Sequence, residues 1–115
     1  MSILHNKKFV NQQNTANGEV SGSTVFYYKQ VGETIEATYS GGSIRQGHLL
    51  GVMTSVDTFS MVYHHVNQLD ELRIGQCNST IILDENGKIK LLERWQWLNG
   101  DLSTGYSELI EVVLN

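Results

Sequence analysis

Hydrophobic and polar residues alternate along most of the chain from Thr24 onward, a pattern typical of half-buried β-strands. In the clearest segment, "KIKLLERWQWL" (88–98), one face carries five residues: Ile89, Leu91, Glu93, Trp95 and Trp97. The carboxylate of Glu93 is therefore in phase with two tryptophans, on the face that the apolar residues mark as the inner one. We interpret this face as the lining of a pocket rather than as part of a solid core.

Short turn sequences divide the chain into segments of strand length. Seven segments are predicted as strands: 24–30, 34–40, 44–53, 58–67, 71–83, 88–98 and 103–114. A weaker strand is predicted around residues 8–13, followed by a polar, glycine-rich loop, so that 1–23 form a weak first strand and a loop. The last segment also fits a helix, but its β-branched residues favour a strand. The whole chain, 1–115, is predicted to form a single domain.

The links between the predicted strands are about three or four residues long, which is the length that joins neighbouring antiparallel strands. Asn86-Gly87 and Asn99-Gly100 are the strongest turn signals, because both residue types tolerate a positive φ. Strands joined only in this way form an up-and-down meander, and closing into a barrel removes the exposed edges of such a sheet. The predicted fold is therefore all-β, a barrel of about eight strands whose interior is filled by side chains or holds one small ligand.

Strand parity gives the predicted interior an apolar end and a polar end. The apolar end contains Phe59, Met61, Ile81, Ile89 and Leu91. The other end collects aromatic and polar residues: Tyr63, His65, Asn67, Arg73, Glu93, Trp95 and Trp97. The same alternation predicts that the side chains of Arg45 and Glu111 face the interior. Because an unpaired charge is costly in an apolar interior, we expect Glu93 and Glu111 to be paired with Arg45 and Arg73.

Composition and charge argue against several classes of function and site. The net charge is −4, with 8 Lys and Arg residues and no basic run, so nucleic acid is not an expected partner. No apolar stretch is long enough for a membrane helix and the N-terminus lacks the apolar core of a signal peptide, so we expect a cytoplasmic protein without a membrane partner. The single cysteine, Cys77, excludes an internal disulfide and a cysteine-rich zinc site.

Three blocks of sequence resemble a family of small uncharacterised bacterial proteins: "ATYSGGSIRQGHLLG", "YHHVNQLDELRIGQCNST" and "LLERWQWLNGDLSTGYSELIE". The resemblance covers most of the chain from Phe26 onward, and its last block is the most specific, while Asp70 stands where the family pattern has glycine. The resemblance implies an avidin-like β-barrel, similar to the calycin and lipocalin type. Members of that family often carry the label N-acetylglutamate synthase.

The sequence pattern does not support that acyltransferase activity. Acetyl-CoA-dependent enzymes of the common type use a glycine-rich loop at the start of a helix to bind pyrophosphate. The glycines of "RQGHLLG" lie inside a strand pattern instead. No biotin-site motif is evident, and no cofactor is expected.

Three functions remain open. We favour a non-enzymatic barrel for a small, partly polar organic ligand, with these candidate binding residues: Tyr39, Tyr63, His65, Asn67, Arg73, Glu93, Trp95 and Trp97. An enzyme would use the same cavity, with His65 or Glu93 as general acid/base and Arg73 steadying an anion. A structural or oligomerisation module would have a solid core. Apolar outer residues such as Val62 and Ile74 predict a homo-oligomer, which is compatible with the binding function as well.

Each candidate residue also has a purely structural interpretation. The two tryptophans are compatible with core packing, Glu93 with an ion pair to an arginine, and His65 with a hydrogen-bonded interior histidine. Cys77 is expected to be a buried, inert thiol. His64 and His65 point to opposite faces of their strand, so they are not expected to bind one metal ion together.

Overall fold

Eight antiparallel strands close into a barrel in a computed structural model of the chain, which describes residues 3–112. The strands are β1 (Lys7–Asn14), β2 (Val25–Val31), β3 (Thr34–Gly41), β4 (Ile44–Met53), β5 (Thr58–Asn67), β6 (Leu72–Leu83), β7 (Ile89–Trp97) and β8 (Thr104–Val112). Each strand pairs with the next one in sequence, and β1 pairs with β8 to close the ring. The prediction of an all-β, up-and-down barrel is confirmed.

The predicted strands and turns correspond closely to the observed ones. The weak segment at 8–13 lies within β1, and the last segment forms β8 rather than a helix. Gly87 and Gly100 have φ values of 78° and 71° in the turns after β6 and β7, which glycine adopts without steric cost. The predicted strand residues 113–114 lie outside the described residues. No helix within 3–112 is long and apolar enough to cross a membrane.

Inward and outward positions follow the predicted parity in most of the strands. All five residues of β7 that were predicted to face inward are buried, including Glu93. The inner faces of β2, β3, β5 and β6 also agree, for example at Phe26, Tyr39, His65 and Cys77. The parity of a hydrophobic pattern therefore identified the residues that fill this barrel.

The inward assignment of Arg45 is wrong. The pairing of β4 with β5 shifts register between Ile44 and Gln46, so that Ile44 is buried and Arg45 points outward. Arg45 forms an exposed ion pair with Asp70 in the turn after β5. A β-bulge changes which face a residue occupies, and the alternation of residue types does not reveal it.

The two ends of the barrel are closed by different means. At the apolar end, Leu4 of the N-terminal segment is fully buried, and its backbone N–H donates to Gln30 Oε1 at 3.1 Å. At the other end, the connection between β1 and β2 (15–24) folds over the opening, and Val20 packs against the core. The walls are continuous hydrogen-bonded ladders, so access to the interior depends on these two closures.

Candidate functional site

Three inward aromatic rings lie against glycines on the next strand. Tyr39 is paired with Gly47, Tyr63 with Gly75, and Trp95 with Gly105. In each pair, a Cβ added to the glycine would overlap the ring. The missing side chains therefore let the rings lie flat along the barrel wall, and the glycines determine where three of the candidate residues are placed.

A carboxylate from the β1–β2 connection enters the polar end of the barrel. Glu19 Oε1 lies 2.8 Å from His65 Nε2, and Glu19 Oε2 lies 2.6 Å from Arg73 Nη1. Asn67 Nδ2 donates to the same carboxylate at 3.3 and 3.4 Å. Three candidate residues on β5 and β6 thus converge on one anionic group supplied by the chain itself.

Hydrogen bonding indicates the charge states in this network. Burial alone would raise the pKa of Glu19, but hydrogen bonds from His65 and Asn67 and the charge of Arg73 together lower it. An ionised carboxylate only accepts hydrogen bonds, so His65 Nε2 carries the proton. Burial lowers the pKa of His65, which favours a neutral ring whose Nδ1 accepts from the Tyr39 hydroxyl at 3.0 Å.

Arg73 is held between the network and an indole ring. Its guanidinium carbon lies 3.9 Å from the centroid of Trp97, in cation–π geometry. Arg73 Nε is buried and has no hydrogen-bond partner within the described part of the chain. Trp97 Nε1 donates to the backbone oxygen of Asn17 at 3.1 Å, which ties the β1–β2 connection to β7.

Glu93 lies deeper in the barrel and has a different environment. Its carboxyl group is fully buried, and the Ser79 hydroxyl donates to Oε2 at 3.3 Å. No cation within residues 3–112 pairs with it. Burial raises the pKa of Glu93 to about 8, so the group is mostly a neutral acid at pH 7. The Tyr28 hydroxyl is also buried and lacks a hydrogen-bond partner among the described residues.

A small cavity connects these two sets of polar groups. Its volume is about 40 Å³. Among the residues that line it are Glu19 and Val20 of the connection and six of the candidates: Tyr39, Tyr63, His65, Glu93, Trp95 and Trp97. A water molecule takes up about 30 Å³ in the liquid, so the closed cavity has room for about one.

The eight predicted site residues divide into two groups. Tyr39, His65, Asn67, Arg73 and Trp97 form the network around Glu19 at the polar end. Tyr63, Glu93 and Trp95 line the cavity beside or below that network. Trp95 Nε1 donates to the Ser107 hydroxyl at 2.7 Å, and Ser107 in turn donates to Asn14 Oδ1, so this ring is fixed in place.

The predicted partners of the buried carboxylates are wrong. Arg73 pairs with Glu19, and Arg45 is outside the barrel, so neither arginine reaches Glu93. Glu111 is half-buried, and Lys7 of β1 lies 3.3 Å from its Oε2. Protonation, rather than a cation, accommodates Glu93 in the interior.

Sequence reasoning missed Glu19. It lies in a polar, glycine-rich segment with no hydrophobic periodicity, so no parity could assign it to the interior. The remaining signal was indirect, since an inward arginine requires an anion and Glu19 is the only acidic residue of that segment.

Cys77 does not have the environment of a reactive thiol. Cys77 is buried, and burial raises the pKa of its thiol well above the usual value. Such a thiol is a poor nucleophile at neutral pH.

Residues 3–112 contain no group of three or more His, Cys, Asp or Glu side chains arranged to hold a metal ion.

Comparison with protein families gives one match. The family model described as "Avidin-like protein" matches residues 2–112, which is nearly the whole chain. Neither curated proteins nor solved structures gave a significant match.

Proposed function

The chain belongs to the avidin-like family, and from that premise we propose that it is a non-enzymatic binding protein for a small, partly polar organic molecule. The ligand occupies the upper half of the barrel, between Glu93 and the opening covered by the β1–β2 connection. Trp95, Trp97 and Tyr63 enclose it through ring contacts. Glu93, His65, Asn67, Arg73 and Tyr39 orient it through hydrogen bonds.

One observation carries this proposal: Glu93 is a buried carboxyl group on a cavity wall, and within residues 3–112 its one side-chain hydrogen bond comes from Ser79. A buried polar group with unused hydrogen-bonding capacity is costly unless something else satisfies it. As a neutral acid, Glu93 offers both a donor and an acceptor. A ligand group with the complementary pair, such as an amide, would fill that capacity.

The size of the cavity implies that the β1–β2 connection moves when a ligand binds. Ligand pockets commonly have roughly 300–1,000 Å³, far more than the closed cavity offers. Opening the walls would break strand ladders, whereas withdrawing Glu19 and Val20 breaks few backbone contacts. Two of these are the bonds from Ser43 Oγ to Glu19 O and from Asn14 Nδ2 to Val20 O. The connection can therefore move while the strand ladders stay intact, provided that the ligand replaces the contacts of Glu19 with His65, Asn67 and Arg73.

The hydrogen bonds of His65 support binding rather than catalysis. Nδ1 accepts from Tyr39 and Nε2 carries the proton, so withdrawal of Glu19 frees a donor N–H rather than a basic nitrogen. A general base needs one nitrogen directed at a substrate proton. His65 and Glu93 also form no hydrogen bond with each other, so they do not form an activated pair.

A thermal-shift screen against a metabolite library tests the binding function. Compounds that raise the melting temperature are then titrated into Glu93→Leu and Trp97→Phe, with Tyr27→Phe as a control on the exposed outer face. Leucine cannot form the hydrogen bonds of the neutral acid, so binding should weaken by about tenfold in Glu93→Leu. Equal affinity in all variants would place the ligand outside the barrel and overturn the proposal.

We also propose that the barrels associate into a homo-oligomer through the outer faces of β4 and β5. Leu50 and Val62 are directly opposite each other on these strands, and each is about half exposed. Val52 extends the apolar area. An open depression of about 800 Å³ lies across β4 to β8 around these residues. Apolar side chains grouped in this way favour contact with a second copy of the same surface.

A further inference from the structure

The network at the polar end of the barrel has the form of an occupied anion site. His65, Asn67 and Arg73 come from neighbouring strands and direct their N–H groups at one point. The carboxylate at that point belongs to Glu19, which is 46 or more residues away in sequence from each of them. The three donors are therefore fixed by the barrel wall, and their acceptor is attached to the connection that covers the opening.

We propose that His65, Asn67 and Arg73 form a carboxylate-binding site, which Glu19 fills in the closed barrel and which the carboxylate of a bound ligand takes over in the open one. The inference rests on the proposed binding function and names the chemical class of the ligand. The ligand is an organic acid whose carboxylate lies at the opening and whose remaining part extends toward Trp95 and Glu93.

The charge of Arg73 requires an anion in both states. Its side chain is 19% exposed and lies against Trp97, so it is only partly solvated. If the β1–β2 connection withdraws, Arg73 loses the carboxylate that it contacts directly within residues 3–112. The exposed Asp101 also interacts with Arg73 through its charge, but a neutral ligand would leave the arginine without a contacting carboxylate, at a cost that a carboxylate on the ligand avoids. The site thus favours acids over neutral analogues of the same shape.

The donors also have capacity that Glu19 does not use. Arg73 donates to Glu19 through Nη1. A free carboxylate can approach the guanidinium end-on and accept two parallel hydrogen bonds, from Nη1 and Nη2, which a carboxylate attached to the chain does not achieve here. An acid whose remaining part also gains contacts inside the barrel can therefore displace Glu19, whereas a small acid such as acetate cannot.

The direct test uses acetate as the probe. Replacing Glu19 by alanine removes a CH₂–COO⁻ group, which is the acetate ion in size and shape. The melting temperature of Glu19→Ala is measured in sodium acetate and in sodium chloride at equal ionic strength and at pH 7. If acetate binds with a Kd on the order of 10 mM, then about 100 mM should raise the melting temperature by roughly 6 °C relative to chloride.

Three controls separate the site from general salt effects. Wild type should not respond, because Glu19 fills the site. Glu33→Ala removes an exposed glutamate from the β2–β3 turn and should not respond either. The double variant Glu19→Ala/Arg73→Gln should lose most of the acetate effect. If Glu19→Ala does not fold, Glu19→Gln serves, because its neutral amide is a weaker partner for Arg73, and acetate should raise its melting temperature by a smaller amount.

The outcomes decide the question. An equal acetate effect in the double variant, or none in either Glu19 variant, would overturn the proposal. A larger effect of inorganic phosphate than of acetate would overturn the carboxylate assignment. The proposed binding function fails separately: library compounds that are neutral and depend on Glu93 but not on Arg73 would support a ligand site without an acid group.

Discussion

Glu93 shows how one residue in an ordinary strand pattern can point to function. Its position in phase with two tryptophans was visible in the sequence, and burial of that face is confirmed. Its protonation was not visible, because it depends on the absence of a nearby cation, and the sequence offered two arginines as partners. Only the bulge in β4 and the position of Glu19 direct those arginines elsewhere.

The raised pKa of Glu93 predicts how stability depends on pH. The folded protein retains this proton up to about pH 8, whereas the usual pKa of the group is 4.5. The folded state therefore binds more protons over that range, so the contribution of Glu93 to stability is fully present below pH 4.5 and is lost as the pH rises toward 8. The expected loss is of order 5 kcal/mol.

Urea unfolding of wild type and Glu93→Gln from pH 5 to pH 9 measures this effect. Gln has the same shape but does not ionise, so its stability relative to wild type should increase with pH and level off near pH 8. Comparing the two proteins cancels the titration of Glu19 and His65, which both retain. A constant difference across the range would show that Glu93 is ionised in the folded protein.

At the scale of elements, glycines opposite aromatic residues position the site. Strand parity located the aromatic partner of each pair on an inner face, but it did not identify the glycine opposite it. The pairing of Trp95 with Gly105 depends on the register between β7 and β8, which the alternating pattern alone does not specify. Short turns after β7 and β6 help to set that register.

Gly105→Ala should destabilise the protein by roughly 1–3 kcal/mol, because the added methyl group overlaps the Trp95 ring, which its bond to Ser107 holds in place. Chemical unfolding measures the change, and tryptophan fluorescence should report the displaced indole. The matched control is Gly22→Ala in the β1–β2 connection, where the nearest atom to the new methyl group is 3.9 Å away. Equal stability of the two variants would mean that the wall adapts without cost.

The position of the β1–β2 connection over the barrel opening could not be predicted from the sequence. Its polar, glycine-rich composition correctly indicated a loop, but composition does not state what a loop covers. Glu19, Val20 and Asn17 reach the interior or its rim through contacts with residues more than 40 positions away, or through the core. Such contacts follow from barrel closure, which brings distant strands around one opening.

At the scale of the whole molecule, alternation and short turns were sufficient to predict the barrel. Each of the eight strands has one apolar face, and the short links allow pairing only between neighbouring strands. Closing the sheet into a barrel is then the way to remove both of its exposed edges. The sequence predicts less about the outer surface, because exposed apolar residues indicate a contact surface but do not identify the partner.

Light scattering after size-exclusion chromatography tests the proposed association. Wild type should have a mass of two or more times 12.9 kDa. Val62→Lys places a charge in the centre of the apolar area and should shift the protein toward the monomer. Val56→Lys makes the same change at a turn residue that is 95% exposed and should leave the mass unchanged. A monomeric wild type, or the same mass for both variants, would refute this interface.

The measurement that tests the central claim most directly is NMR of the two indole N–H groups during titration with the strongest compound from the library screen. The chain contains 2 tryptophans, and both line the cavity. Binding inside the barrel should shift both indole signals together with the backbone amide of Gly18, and should leave that of Gly87 in the β6–β7 turn unchanged. Unchanged indole signals, with shifts confined to Leu50 and Val62 on the outer face, would contradict an interior site.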